Sequence, residues 1–205
     1  DLYGRTTDNK TIYISVTDYT PFFYVEIPNV WKNNHIALFI QILKKMVYYK
    51  VKDSLKEYSC IKRCRFRGFT NYKKFQFIRL VFKNYEGFRS YERALKKPIF
   101  DKRLSKGPKK YKLYESNIEP FFRCMHIRDL NACGWASIDK KKYDVIEDEP
   151  TICDYNIQTE WSNLNKVDKT EISPIVVAAF DIECTSGDGS FPQADRDSDK
   201  VIQIG

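Results

Sequence analysis

Apolar and polar positions alternate over Thr11 to Val16, where Ile12, Ile14 and Val16 share one face, and again over Phe22 to Ile27. Period-two alternation predicts two half-buried strands, and the short Thr17-to-Pro21 connection predicts that they pair as a hairpin. At Asn33 or Asn34, both good N-caps, the period changes. Ile36, Phe39, Ile40, Leu43, Met46 and Val47 recur at helical spacing with Gln41, Lys44 and Lys45 opposite, predicting one amphipathic helix to about Tyr49. The rings of Tyr13, Tyr19, Phe22, Phe23 and Tyr24 fit cross-strand and core packing better than base stacking.

The next stretch mixes cations with rings. Lys62, Arg63, Arg65, Arg67, Tyr72, Lys73 and Lys74 are interleaved with Phe66, Phe69, Phe75 and Phe77, and strand-like alternation runs on through Arg79, Val81 and Lys83. Two readings fit: cations that neutralise phosphates while rings meet unstacked bases, or a two-faced sheet with rings inward and cations in water. Arg67-Gly68-Phe69 matches the start of the RNA-recognition-motif signature over three residues. Tyr85 to Leu95 reads as a short helix. Strand, strand, helix, strand, strand, helix predicts a small α+β sandwich.

Lys96 to Lys112 holds eight Lys or Arg with Pro98, Gly107 and Pro108, the composition of an exposed loop. Glu115 to Leu130 predicts a helix with Pro120 tolerated in its early turn. His35 has no second His near it, which argues against a ligand role, and His126 suits packing or hydrogen bonding better than catalysis. Lys140 to Lys142 marks a solvated edge, Thr151 to Trp161 predicts a strand, and Ser162 to Thr170 is polar and turn-like. Ser173-Pro174 punctuates the chain, dividing residues 1–172 from 173–205.

After that boundary the β-branched run Val176 to Cys184 acquires two carboxylates. On a strand Val177, Ala179, Asp181 and Glu183 share one face and Phe180, Ile182 and Cys184 the other, so the run predicts a central strand buried on both sides. Two ionised carboxylates held together away from water repel, and a divalent cation removes the conflict. Hard oxygen ligands suit Mg²⁺ or Mn²⁺, and paired ions of this kind cut phosphodiesters. A Gly-rich polar loop, Thr185 to Ser190, and a second short strand, Lys200 to Gly205, follow.

Charge separates the same two parts. Residues 1–150 carry 31 Lys or Arg against 17 Asp or Glu, a net of +14, whereas residues 151–205 carry 4 against 10, a net of −6. A basic body suggests a polyanionic partner, and an acidic tail suggests cation ligation. With 42% apolar and 15% aromatic residues the chain is composed to fold. No run approaches the roughly eighteen apolar residues of a membrane span. The six cysteines are scattered, and the Cys60/Cys64 pair lacks a second pair, which argues for free thiols and an intracellular setting rather than zinc. The chain opens on Asp1 without Met and closes as a strand begins, so it is expected to be a piece of a longer protein.

Phe180-Asp181-Ile182-Glu183-Cys184, then Gly189-Ser190-Phe191-Pro192 and Asp199-Lys200-Val201-Ile202-Gln203-Ile204-Gly205, resembles the first exonuclease motif of family B DNA polymerases, above all the delta-like enzymes of large DNA viruses. Tyr114 to Ile118, Phe122 to His126 and Ala132 to Trp135 are similar to the same family's amino-terminal region, as is the shorter Phe22-to-Pro28 string. The resemblance implies an RNA-recognition-motif-like amino-terminal part beside single-stranded template, followed by the first strands of an RNase H-like 3′–5′ proofreading exonuclease. It implies two-metal hydrolysis with Mg²⁺ or Mn²⁺, Asp181 contributing to both ions and Glu183 to the one that activates water. It further implies template-primer DNA with its single-stranded 3′ end, deoxynucleoside triphosphates and a sliding clamp as partners, at the nucleus or a viral replication site. The family's later N-x-x-x-[F/Y]-D and Y-x-x-x-D motifs do not follow Asp181; Tyr49 and Asp53 have the second spacing but precede the strand. Polymerase motifs are also missing, so this stretch is expected to be inactive by itself. The alternatives are a self-standing exonuclease and a noncatalytic module that binds single-stranded nucleic acid.

Overall fold

A computed structural model of the chain describes residues 1–65, 68–148, 150–174 and 177–205. In chain order the elements are β1 (Leu2–Arg5), β2 (Thr11–Thr17), β3 (Phe22–Ile27), α1 (Asn33–Met46), β4 (Leu55–Cys64), β5 (Lys74–Phe82), α2 (Tyr85–Leu95), β6 (Leu113–Tyr114), α3 (Pro120–Arg128), β7 (Trp135–Ser137), β8 (Asp144–Val145), β9 (Tyr155–Glu160), β10 (Asn165–Val167), β11 (Ile182–Thr185) and β12 (Lys200–Ile204). Short 3₁₀ turns cover Tyr49–Ser54 and Trp161–Asn163. The mixture is α+β.

The main core lies in the middle of the chain. Strands run β4-β5-β3-β6, every pair antiparallel, and the chain passes through them as strand, helix, strand, strand, helix, strand. Alternation turns Phe23, Val25, Ile27, Ile78, Leu80 and Phe82 to the same side, where they meet Ile36, Phe39, Ile40 and Leu43 of α1 and Phe88, Tyr91 and Leu95 of α2. The stripe predicted for α1 is the one buried, except that Met46 remains partly exposed where the helix stops. Its N-cap is Lys32 rather than an Asn: Lys32 N–H donates to His35 Nδ1 at 3.2 Å, so His35 closes the first turn and stacks near Trp31. Helix α2 covers the predicted Tyr85 to Leu95, capped by Asn84 Oδ1, which accepts the Gly87 N–H at 2.9 Å. Helix α3 starts at Pro120, five residues after the predicted start.

The predicted hairpin between Thr11–Val16 and Phe22–Ile27 does not form. Asp18 turns the chain through the left-handed region at φ 62°, and β2 enters a different sheet, ordered β1-β2-β9-β8. One edge of β2 takes β1 antiparallel and the other takes β9 parallel, with Ile14 opposite Ile157. Asp154 fastens this closure, accepting both the backbone N–H and the hydroxyl of Thr11 at 2.8 and 2.7 Å. A pairing between residues 143 positions apart leaves no local signal, so the nearer strand was the expected partner. Strand β10, which pairs with β7, lies within the stretch expected to be a turn.

Candidate metal and nucleic-acid sites

The acidic pair sits on a two-stranded ribbon. Ile182 lies opposite Ile204 and Glu183 opposite Gln203; Asp181 extends the pairing by exchanging backbone hydrogen bonds with Gly205 at 2.8 and 3.0 Å. Strand alternation therefore puts Asp181 and Glu183 on one face of β11, and the register shift comes only after them, between Glu183 and Cys184. Both side chains are exposed, and neither forms an ion pair among the described residues. Asp181 Oδ1 accepts the Ile182 N–H at 2.8 Å, which leaves its second oxygen free.

The strand expected to be buried on both faces is not buried here. Val177 is 82% and Phe180 77% exposed, both outside any strand, and all of β12 is exposed. Val176, the first residue of the predicted run, lies outside the described residues. A strand is buried by neighbours on its edges and faces, and among the described residues β11 has only β12. The intervening loop is nevertheless well ordered by hydrogen bonds. Asp199, whose side chain is only 2% exposed, accepts the Gly187 and Gln193 N–H groups at 3.1 and 3.0 Å, and these with the Ser198 hydroxyl hold its carboxyl below the usual range. Asp188 accepts the Ser190 hydroxyl and N–H and the Ser186 hydroxyl, is likewise lowered, and pairs with Arg196 at 3.1 Å. Gly187 is required: a Cβ there would lie 2.6 Å from Ser198 Cβ.

Two hard oxygen donors on one face, uncommitted to cations, are a fitting half of a divalent-metal site. Among the described residues no third His, Cys, Asp or Glu joins them.

The basic residues collect on the β4-β5 hairpin. Lys62 and Arg63 lie near the end of β4, Lys74 opens β5, and Tyr72 and Lys73 stand in the turn. All five are exposed, and none forms an ion pair among the described residues. Tyr72, 87% exposed, and Phe69, 93% exposed, present free rings beside these cations. Asn71 and Tyr72 both take the left-handed conformation, at φ 47° and 58°. Arg67 and Phe66 lie outside the described residues.

Arg65 behaves differently from its neighbours. It folds back over the sheet, its guanidinium 3.7 Å above the Phe75 ring, and pairs with Glu26 of β3. Tyr114 Oη donates to the same Glu26 carboxylate at 2.7 Å. Arg79 and Arg123 stand over the Phe22 ring at 4.1 and 5.1 Å, and Phe22, Phe77 and Val81 are buried. The sheet face turned away from α1 and α2 is thus largely occupied by the chain's own residues, and among the described residues of this sheet the cations without ion-pair partners gather at the hairpin tip and along β4. Sequence reasoning missed Glu26. The available signal was an acid in an otherwise aromatic and apolar strand, which needs a cation partner when covered.

Comparison with known proteins points to one family. Residues 111–205 match the model of the family B DNA polymerase exonuclease domain. The whole chain is 42% identical to the DNA polymerase of Acanthamoeba polyphaga mimivirus, of which it covers 12%. Among known proteins the chain is similar to the family B DNA polymerases. Over 93% of its length it is 30% identical to the DNA polymerase of Pyramimonas orientalis virus, covering 16% of that protein. It is 24% identical to the Bos taurus DNA polymerase delta catalytic subunit over 98% of its length and 19% of the relative's. The solved family B polymerase from the archaeon Pyrobaculum calidifontis shares its fold at a TM-score of 0.58 and 16% identity, over 98% of this chain and 22% of that one. The chain therefore spans between 12% and 22% of the proteins named here. Among the described residues no helix is long and apolar enough to cross a membrane.

Proposed function

We propose that the protein carrying this sequence is a replicative DNA-directed DNA polymerase whose 3′–5′ exonuclease proofreads, and that Asp181 and Glu183 are catalytic metal ligands of that exonuclease. The observation that carries the proposal is the pair itself: two carboxylates on one face of β11, without ion-pair partners among the described residues, inside the stretch that matches the exonuclease domain. Mg²⁺ or Mn²⁺ bound there would supply an activated water and stabilise the leaving 3′ oxygen. Asp181, one oxygen of which accepts the Ile182 N–H, would contribute to both ions, and Glu183 would help hold the one that activates water. The Asp199-braced loop keeps β11 and β12 paired and so fixes the spacing of the two acids. Residues 173–205 open an RNase H-like domain, with the boundary at Ser173-Pro174.

Residues 1–172 form the amino-terminal domain. Its middle is RNA-recognition-motif-like, a reading supported by the β4-β5-β3-β6 order and the strand-helix-strand-strand-helix-strand sequence. Lys62, Arg63, Tyr72, Lys73 and Lys74 contact single-stranded template. Template-primer DNA, deoxynucleoside triphosphates and a sliding clamp are the partners, at the nucleus or a viral replication site. The test uses the complete polymerase. Asp181→Ala with Glu183→Ala should abolish excision of a mispaired 3′ end and leave primer extension intact; equal loss of both activities overturns the assignment.

A further inference from the structure

Beyond the hairpin tip, β4 has an open edge with an unusual arrangement. Strand β5 is its only partner among the described residues, so the other edge faces solvent. Register puts Tyr58, Cys60 and Lys62 on one face, opposite Leu80, Ile78 and Gln76. At the start of β4 the register shifts between Leu55 and Glu57, so Lys56 has no opposite residue and bulges outward. Lys44 of α1 joins Leu55, Lys56, Glu57 and Tyr58 around an open cavity of about 280 Å³. Tyr58 is 44% exposed and stacks on no other ring among the described residues. Lys44, Lys56 and Lys62 form no ion pair among the described residues, and Glu57 is the single acid of the cavity wall.

We propose that the β4 edge is a path for single-stranded nucleic acid, leading from the hairpin tip past Lys62 to a base-binding cavity in which Tyr58 is the stacking platform and Lys44 and Lys56 meet the flanking phosphates. The proposal rests on the hairpin-tip reading above and extends it. Three features support it. Lys62 to Lys56 spans roughly 20 Å at the strand's rise, the length of a few nucleotides. Free cations spaced along one edge beside an unstacked ring are the elements with which sequence-tolerant single-strand binders track a backbone. Residues 1–150, which include this edge, carry a net charge of +14, which favours association with a polyanion.

Anisotropy of a labelled oligothymidylate of roughly 16 nucleotides, titrated with the 205-residue chain over a range of salt, tests the path. Tyr58→Ala should weaken binding about tenfold, the loss of one stacked base, and Tyr58→Phe should restore it. Lys44→Gln with Lys56→Gln should flatten the logarithmic salt slope by about 1.4, two phosphate contacts' worth. Lys56 is exposed, Lys44 is half-buried and neither belongs to the core cluster, and circular dichroism checks each fold. Should Tyr58→Ala and the lysine pair both bind within about twofold of the parent while Tyr72→Ala weakens binding, the edge path is overturned and the hairpin-tip reading stands. If the parent chain fails to bind, or Tyr72→Ala has no effect, the tip reading falls and the path with it. Equal competition by polyglutamate would assign the edge to an acidic protein segment instead.

Discussion

Arg65, expected to contact nucleic acid, is instead bound to Glu26: its Nε donates to Glu26 Oε2 at 3.1 Å while its guanidinium covers the Phe75 ring. The pair ties the end of the basic hairpin to the middle strand of the sheet. Burial alone would raise the Glu26 carboxyl, but hydrogen bonds from Arg65 and Tyr114, with the charges of Arg65 and Lys112, outweigh it and leave it lowered.

Glu26→Gln should therefore destabilise the chain by about 1–2 kcal/mol, since it removes charge-assisted hydrogen bonds and leaves Arg65 without its counter-charge. A carboxyl lowered in the folded state contributes stability that is complete above its unfolded value, near 4.3, and is lost as pH falls through the lower folded value. Urea denaturation across acidic pH should show the parent's advantage over Glu26→Gln shrinking in that direction. An advantage that grew on acidification would contradict the pairing.

Arg65→Ala should lower the same stability yet leave the salt slope of oligonucleotide binding unchanged, because Arg65 is committed inside the protein. Lys73→Gln and Lys74→Gln should do the reverse, each flattening the slope by about 0.7 with melting unaltered.

The loop between β11 and β12 should depend on acid in the same sense. Asp199 and Asp188 are both held below the usual carboxylate range by the N–H and hydroxyl groups around them. The stability they contribute is complete above the unfolded aspartate value, about 3.9, and is lost as pH falls through their lower folded values, where the brace weakens. Amide exchange at Gly187 and Gln193, followed by NMR, should show protection at neutral pH that fades on acidification. Asp199→Asn should remove it throughout.

Phe23 has no exposed surface and packs against Phe82 and Phe88 with ring centroids 5.3 and 5.2 Å apart. Phe23→Ala should cost about 3–5 kcal/mol, measured by denaturant titration, because three interlocked rings leave little room for collapse around the cavity.

The 205-residue chain with Mg²⁺ should neither extend a primer nor degrade one in a gel assay. Asp181 and Glu183 alone supply too few oxygen ligands to hold paired ions, and among the described residues no further donors gather beside them. Metal-dependent digestion that disappeared in Asp181→Ala would refute this.

Local pattern determined a good deal of this protein. The stripe of α1 from Ile36 to Leu43, the span of α2 and the Lys200 strand all follow from periodicity, because an amphipathic helix or an alternating strand is specified within a few neighbouring residues. The acidic pair was equally legible, since alternation alone puts Asp181 and Glu183 on one face. Partnership was decided elsewhere. Strand β2 joins β9 rather than β3, and Glu26 takes Arg65 from the hairpin's would-be ligands. Each outcome depends on which surface comes to lie against which across long stretches of chain, and that is a property of packing in three dimensions that no window of sequence contains.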